Sequence, residues 1–298
     1  MNKYYVLSNG VKIPQIMIGT YSIFDDEAKA VFEAAYNVGY RGIDCGRYYG
    51  NEKDWGNAIK ALGIRREDVF IQTKISHADE KKGIDIIRDF QTTLQNFSTD
   101  YIDCLLIHWP NMDTFKSTWK AMEGLYKAGR VRVIGVSNFR MEHFEMLKTS
   151  AEIMPLVNQI ERHPCRHQQE TYDYCKENEI QLQAYQPIAV GRPELMNNPL
   201  LIDIAKKHGC TVPQAALAWN IATGVIPLPR SRNAGRLREN FGALGIELTV
   251  KEIEMIDGDK AHYFRALREG SEYPGYWDEI HKVDVKKYLL DCKNEMKI

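Results

Sequence analysis

The chain has 298 residues, with 39 Lys and Arg against 40 Asp and Glu and a formal net charge of -1. That length holds one large domain or two ordinary ones with a sizeable core, and the even balance offers no basic field for nucleic acid or an acidic membrane surface. Six scattered cysteines without a Cys-x-x-Cys pair, no metal-ligand spacing, no signal-peptide core after Met1 and no run long enough to span a bilayer predict a reduced, metal-free, cytoplasmic protein.

In chain order, Ser8-Asn9-Gly10-Val11 places an Asn-Gly turn between two β-prone runs and predicts a short hairpin ahead of the main fold. Apolar runs then follow near 16–20, 41–45, 68–73, 102–108, 131–137, 156–160, 180–185 and 224–228. Helical periodicity lies between them, over Glu27 to Val38, Gly83 to Phe97, Thr114 to Lys127, Met141 to Thr149 and Gln169 to Glu177. Eight strand-like runs separated by helices predict parallel βαβ units, and eight such units close into a (β/α)8 TIM barrel. An open doubly wound sheet is the alternative on this pattern alone. No linker or composition break divides the chain, so residues 1–298 are read as one domain. The stretch from Gly191 to Ala222 is long for one crossover, which predicts an extended loop at 188–197 before its helix. The tail after Asp257 carries Tyr263, Phe264, Tyr273, Pro274, Tyr276 and Trp277, and is read as a long loop covering the barrel mouth.

Chemistry gathers at the predicted strand ends. Asp44 closes one strand and is followed by Tyr48 and Tyr49; Lys74 and His108 close two more. A tyrosine is a poor acid at neutral pH, with a pKa of about 10, and a neighbouring ammonium lowers it. Tyrosine as proton donor, Lys74 and Asp44 as its tuners and His108 as orienter of a carbonyl oxygen is the economical use of this set. Each member alone has a bland explanation: a strand-end aromatic, an ion pair, a satisfied core histidine. No side chain can supply a hydride, so such chemistry needs a cofactor. Arg230, Ser231 and Arg232, with Arg236 and Asn240 behind them at helical spacing, offer guanidinium forks for a doubly charged phosphate, which favours NADP(H) over NAD(H). A solvated helix face is the alternative for this run. No Gly-x-Gly-x-x-Gly, Walker loop or His-Glu-x-x-His occurs, and the Tyr172-x-x-x-Lys176 spacing is read as chance.

Taken together, Asp44 with Tyr49-Gly50-Asn51-Glu52, Lys74, His108-Trp109-Pro110, Gly135-Val136-Ser137-Asn138, Asn158-Gln159 with His163-Pro164, Ala184-Tyr185 with Pro187, and Pro229-Arg230-Ser231 with Arg236 and Glu239-Asn240 resemble the aldo-keto reductases over nearly the whole chain. The resemblance implies that Tyr49, directly before Gly-Asn-Glu, is the acid, leaving Tyr48 to line the pocket with Tyr21 and Trp109. It also implies that Ser137, Asn138 and Gln159 meet a nicotinamide carboxamide, that Tyr185 stacks on its ring, and that Glu239 and Asn240 meet the adenine. Reduction of an aldehyde or ketone by a monomer, without nucleic-acid or membrane partners, is the activity implied. Several positions depart from the pattern. Arg230 stands where Lys is common, Tyr21 where many relatives carry Trp, Gln186 where Ser follows the tyrosine, and Cys45-Gly46 for the commoner Thr-Ala. Two other functions fit parts of the pattern: a non-catalytic nucleotide-binding regulatory subunit of the same fold, and a barrel isomerase or aldolase whose arginines hold a sugar phosphate.

Overall fold

The computed structural model describes residues 3–75 and 86–266. Strands β1 (Tyr4–Val6) and β2 (Lys12–Pro14) form the antiparallel hairpin expected around Asn9-Gly10. Gly10 takes φ 82°, a left-handed conformation that glycine adopts without strain, and the Leu7 amide reaches the Val11 carbonyl at 2.9 Å.

Eight parallel strands follow: β3 (Ile18–Gly19), β4 (Gly42–Asp44), β5 (Phe70–Ile75), β6 (Ile102–Ile107), β7 (Val131–Ser137), β8 (Val157–Glu161), β9 (Gln181–Tyr185) and β10 (Ile226–Pro227). Each pairs with the next in sequence. Backbone bonds from Met17 N to the Pro227 carbonyl (3.3 Å) and from Gly19 N to the Pro229 carbonyl (3.1 Å) return β3 to β10 and close the sheet. This is the (β/α)8 barrel; the open doubly wound sheet is excluded by that closure. Helices α1 (Asp25–Val38), α2 (Glu52–Ala61), α3 (Ile86–Phe97), α4 (Phe115–Lys127), α5 (Met141–Lys148) and α6 (Gln169–Glu177) make the first six crossovers. The part of the predicted Gly83 to Phe97 helix before Ile86 lies outside the described residues.

The crossover from β9 to β10 differs from expectation. A 3-10 turn at Ala189–Gly191 and the short α7 (Pro193–Met196) occupy the stretch predicted to be extended, and two helices follow, α8 (Pro199–Lys207) and α9 (Val212–Ala222). Pro at the first helical position of α7 and α8, and at the second of α9, suits a helix start, where its missing N–H costs no bond. After β10 come α10 (Ala234–Gly242) and α11 (Val250–Gly258). The chain then returns to the barrel through Phe264 and Ala266. Of the tail residues predicted to cover the mouth, Tyr263 and Phe264 are described; Tyr273, Pro274, Tyr276 and Trp277 lie outside the described residues.

Period-2 alternation sorts the strand side chains. On β6, Leu105 and Ile107 join the apolar layer under the helices, while Cys104 and Leu106 join the barrel interior with Phe70, Val133, Val157 and Ile226. Leu7 and Ile13 of the hairpin belong to that interior cluster, so the hairpin caps the end of the barrel from which the strands start. Gly135 also points inward. A Cβ there would lie 2.6 Å from the Val157 carbonyl, so only glycine fits this height of the barrel. Above the apolar layer the interior turns polar, with Gln72, Gln159 and Gln183 all buried.

Candidate active site

Asp44 ends β4, Lys74 sits one residue before the end of β5, and His108 follows β6. Lys74 is fully buried and its ammonium donates to Asp44 Oδ1 (2.7 Å) and Oδ2 (2.8 Å), to the Cys45 carbonyl (2.8 Å) and to Tyr49 Oη (3.2 Å). Burial works against this ammonium, but Asp44 and Tyr49 outweigh it and hold its pKa up at about 12. For Tyr49 the balance differs from the sequence expectation. Burial of the phenol is the largest influence and raises its pKa; Lys74 pulls it down, Asp44 pushes it up, and the net direction is upward.

Tyr48 and Tyr49 share a 3-10 turn, Arg47–Tyr49, yet face different surroundings. The Tyr49 ring stands edge-on to His108 (5.6 Å between centroids) and to Tyr21 (5.1 Å), while Tyr48 is 59 % exposed at the rim, 6.4 Å from His108. Arg47 fixes the turn by pairing with Asp89 on α3 (2.7 Å) and Glu52 on α2 (3.4 Å). Glu52 is itself buried and accepts from Thr73 Oγ1 at 2.6 Å, and burial raises its pKa.

Beneath the Asp44–Lys74 pair lies an amide layer that sequence reasoning missed in part. Gln72 Nε2 donates to Asp44 Oδ1 (2.7 Å) and Gln183 Oε1 (2.7 Å), and Gln159 Nε2 donates to the same two acceptors at 3.0 Å. Gln72 stands two residues before Lys74 and Gln183 two before Tyr185, so strand periodicity places both on the inward face. That was the available signal. Gln159 thus has its amide nitrogen on Asp44 and Gln183. Ser137 Oγ donates to the Gln159 carbonyl (2.9 Å), Asn138 Nδ2 to the His108 carbonyl (3.1 Å), and Tyr185 Oη to Asn138 Oδ1 (2.8 Å).

One groove of about 1660 Å³ runs from this centre to α10. Of the catalytic, cofactor and pocket candidates, all but Lys74 line it: Asp44, Tyr49 and His108, then Ser137, Asn138, Gln159 and Tyr185, the pocket aromatics Tyr21, Tyr48 and Trp109, and Arg230, Ser231, Arg232, Arg236, Glu239 and Asn240. Arg230 Nη1 donates to the Tyr21 carbonyl (3.0 Å) and Arg232 Nε to Glu27 Oε2 (2.8 Å), so both arginines bridge to the β3–α1 loop and helix start. Burial, then the adjacent Arg232, push Arg230 below its ordinary pKa. Glu239 accepts from Thr211 Oγ1 at 2.6 Å. Neither the Glu27 nor the Thr211 pairing has a local signature, since each joins segments far apart in the chain.

On one side the groove reaches Gln159 of β8 and Ala266 of the returning tail; Tyr263 and Phe264, expected over the mouth, do not line it, and Phe264 belongs to the support behind. Glu161 Oε1 accepts from the Ala266 amide (2.6 Å), and His163 stands 3.2 Å from the same oxygen. The His163 ring packs on Phe264 at 5.1 Å. Four left-handed residues, Gln186, Ala189, Val190 and Gly191, bend the loop after β9 along the groove. Val190 is β-branched and unfavourable there, and such strain is found where a fold holds a loop in place for a purpose.

This geometry agrees with what comparison with other proteins finds: the Aldo/keto reductase family model matches residues 15–259. The chain belongs to the aldo/keto reductase family. Among curated aldo/keto reductases and their kin, it is 40 % identical to the glyoxal reductase of Bacillus subtilis over 84 % of this chain and 90 % of that one. It is 32 % identical to the methylglyoxal reductase DkgA of Salmonella typhimurium, over 83 % and 90 %. Among solved aldo/keto reductase structures, an enzyme from a Medee basin deep-sea metagenome library superposes with a TM-score of 0.83 at 36 % identity, covering 91 % of this chain and 99 % of its own.

Proposed function

We propose that this aldo/keto reductase reduces small aldehydes or ketones with NADP(H) in preference to NAD(H), Tyr49 being the proton donor and acceptor. The observation that carries the reading is the Lys74 ammonium, clamped on Asp44 and 3.2 Å from Tyr49 Oη, with His108 beside the same ring in the groove. When bound, the reduced nicotinamide supplies the hydride that no side chain can. Tyr49 Oη holds the proton for the carbonyl oxygen as negative charge builds there. The adjacent Lys74 stabilises the phenolate left behind, and Asp44, tied down by Gln72 and Gln159, keeps the ammonium in place. The His108 imidazole orients the carbonyl oxygen. Preorganised donors of this kind contribute about 3–4 kcal/mol each to lowering a barrier.

The donor set fits the cofactor. Ser137 at the end of β7, Asn138 just after it and Gln159 within β8 line the groove, and with their amide nitrogens already donated it is the amide oxygens and the Ser137 hydroxyl that suit the NH2 of a carboxamide, while Tyr185, held by Asn138, offers its ring face to the nicotinamide. Arg230, Ser231, Arg232 and Arg236 at the far end suit a phosphate monoester, and Glu239 with Asn240 suits the adenine. Exposed Tyr21 and Tyr48 with Trp109 shape an open aromatic rim, which suits small carbonyls such as the glyoxal and methylglyoxal named for the relatives. We read the whole chain as one domain serving this chemistry.

The test is Tyr49→Phe, assayed by NADPH consumption with glyoxal and methylglyoxal. Turnover falls by about 10²–10⁴-fold, the share of a general acid, while the Kd for NADPH stays within about twofold. Turnover unchanged by the substitution rejects Tyr49 as the acid.

A further inference from the structure

A negative charge sits just outside the phosphate end of the groove. Arg232 lines the groove, but its Nε donates to Glu27 Oε2 at 2.8 Å and its Nη2 to the Ser22 carbonyl. Glu27 lies in the first turn of α1 and is not part of the groove lining, so it holds Arg232 from outside the groove. We infer that Glu27 is a specificity-determining residue, which weakens the preference for NADP(H) over NAD(H) by competing with the 2′-phosphate for Arg232.

The argument rests on the cofactor reading above and on charge. A 2′-phosphate at Arg232 must share the guanidinium with a carboxylate already bonded to it, and the two anions repel. NAD(H) carries a neutral hydroxyl at that position, so Glu27 has no charge there to oppose. Arg230 and Arg232 are also two residues apart and repel each other, and Glu27 offsets part of that repulsion. The ion pair is about half exposed, at 47 % and 44 % for its two side chains, so solvent screening keeps the effect modest. A change of about two- to fivefold in Kd is the size expected of such a pair.

The experiment titrates NADPH and NADH into the wild type, Glu27→Gln, Arg232→Ala and the double variant, following nucleotide binding by calorimetry at about 0.05 M and 0.5 M NaCl. Asp25 and Asp26 keep the first turn of α1 acidic in the variant, so the helix start survives. Glu27→Gln tightens NADPH about two- to fivefold, leaves NADH unchanged, and loses its effect at high salt and in the Arg232→Ala background. NADPH binding that is unchanged or weaker in Glu27→Gln, or an equal change for both nucleotides, overturns the inference alone. A wild type that binds neither nucleotide overturns the cofactor reading and this inference with it.

Discussion

Lys74 ties several contacts together at the residue scale, since Asp44, the Cys45 carbonyl and Tyr49 all meet its ammonium. Removing one partner of a buried pair leaves the other charge uncompensated, so Lys74→Met lowers stability by about 3–5 kcal/mol at neutral pH, read from urea unfolding. The pH dependence follows from the direction of the Lys74 shift. Its pKa rises from 10.5 to about 12 on folding, so the stabilisation is full below pH 10.5 and lost as pH rises through about 12. The stability gap between wild type and Lys74→Met therefore narrows by about 2 kcal/mol across that window. Tyr5, pushed up to about 12 by burial, weakens the fold in the same range but does so in both proteins. Much at this scale was legible in the sequence. Asp44, Lys74 and His108 stand at strand ends, and one inward face brings them together. Less legible was the balance on Tyr49, because burial depends on how the 3-10 turn packs, and no residue count reports it. The pairing of Arg232 with Glu27 was invisible for a related reason: the two come together only when the barrel closes.

At the scale of elements, the hairpin and the mouth lie at opposite ends of the barrel, and substitutions should separate them. Ile13 is fully buried in the cluster that fills the starting end of the strands. Ile13→Ala removes a core side chain at a cost of about 2–5 kcal/mol, seen as a lower urea midpoint, while kcat with glyoxal stays within about twofold because nothing at the mouth moves. A parallel loss of turnover in protein that is still folded would show that the cap governs the site. The hairpin was readable because Asn-Gly is a turn with a conformational reason, and β7 and α6 keep their predicted bounds because their patterns are regular. The crossover after β9 was not readable. Left-handed Ala189 and Val190 carry no sequence signal for that conformation, whereas the break between α8 and α9 does carry one that went unread, left-handed Gly209 after the first helix and the Thr211 cap with Pro213 at the start of the second.

For the whole molecule, a ligand that binds only the folded barrel stabilises it by mass action, by about 2.7 kcal/mol at a hundredfold excess over Kd. NADPH therefore raises Tm more than NADH at equal concentration, measured by calorimetry; equal shifts would deny the phosphate preference. The barrel as an architecture, closure included, was legible from eight alternating runs, but the make-up of its seam was not, since β3 and β10 lie far apart in the sequence and each spans two residues. That closure rests on two backbone bonds, from Met17 and Gly19. Arg230 and Arg232 cross the same seam to Tyr21, Ser22 and Glu27. The barrel is thus stitched most thinly where its phosphate-seeking side chains straddle the join, and a nucleotide lodged on those arginines would act as a rivet. Solvent deuterium should enter the Met17 and Gly19 amides sooner than those at the middle of β6 in the free protein, and NADPH should slow the first pair most.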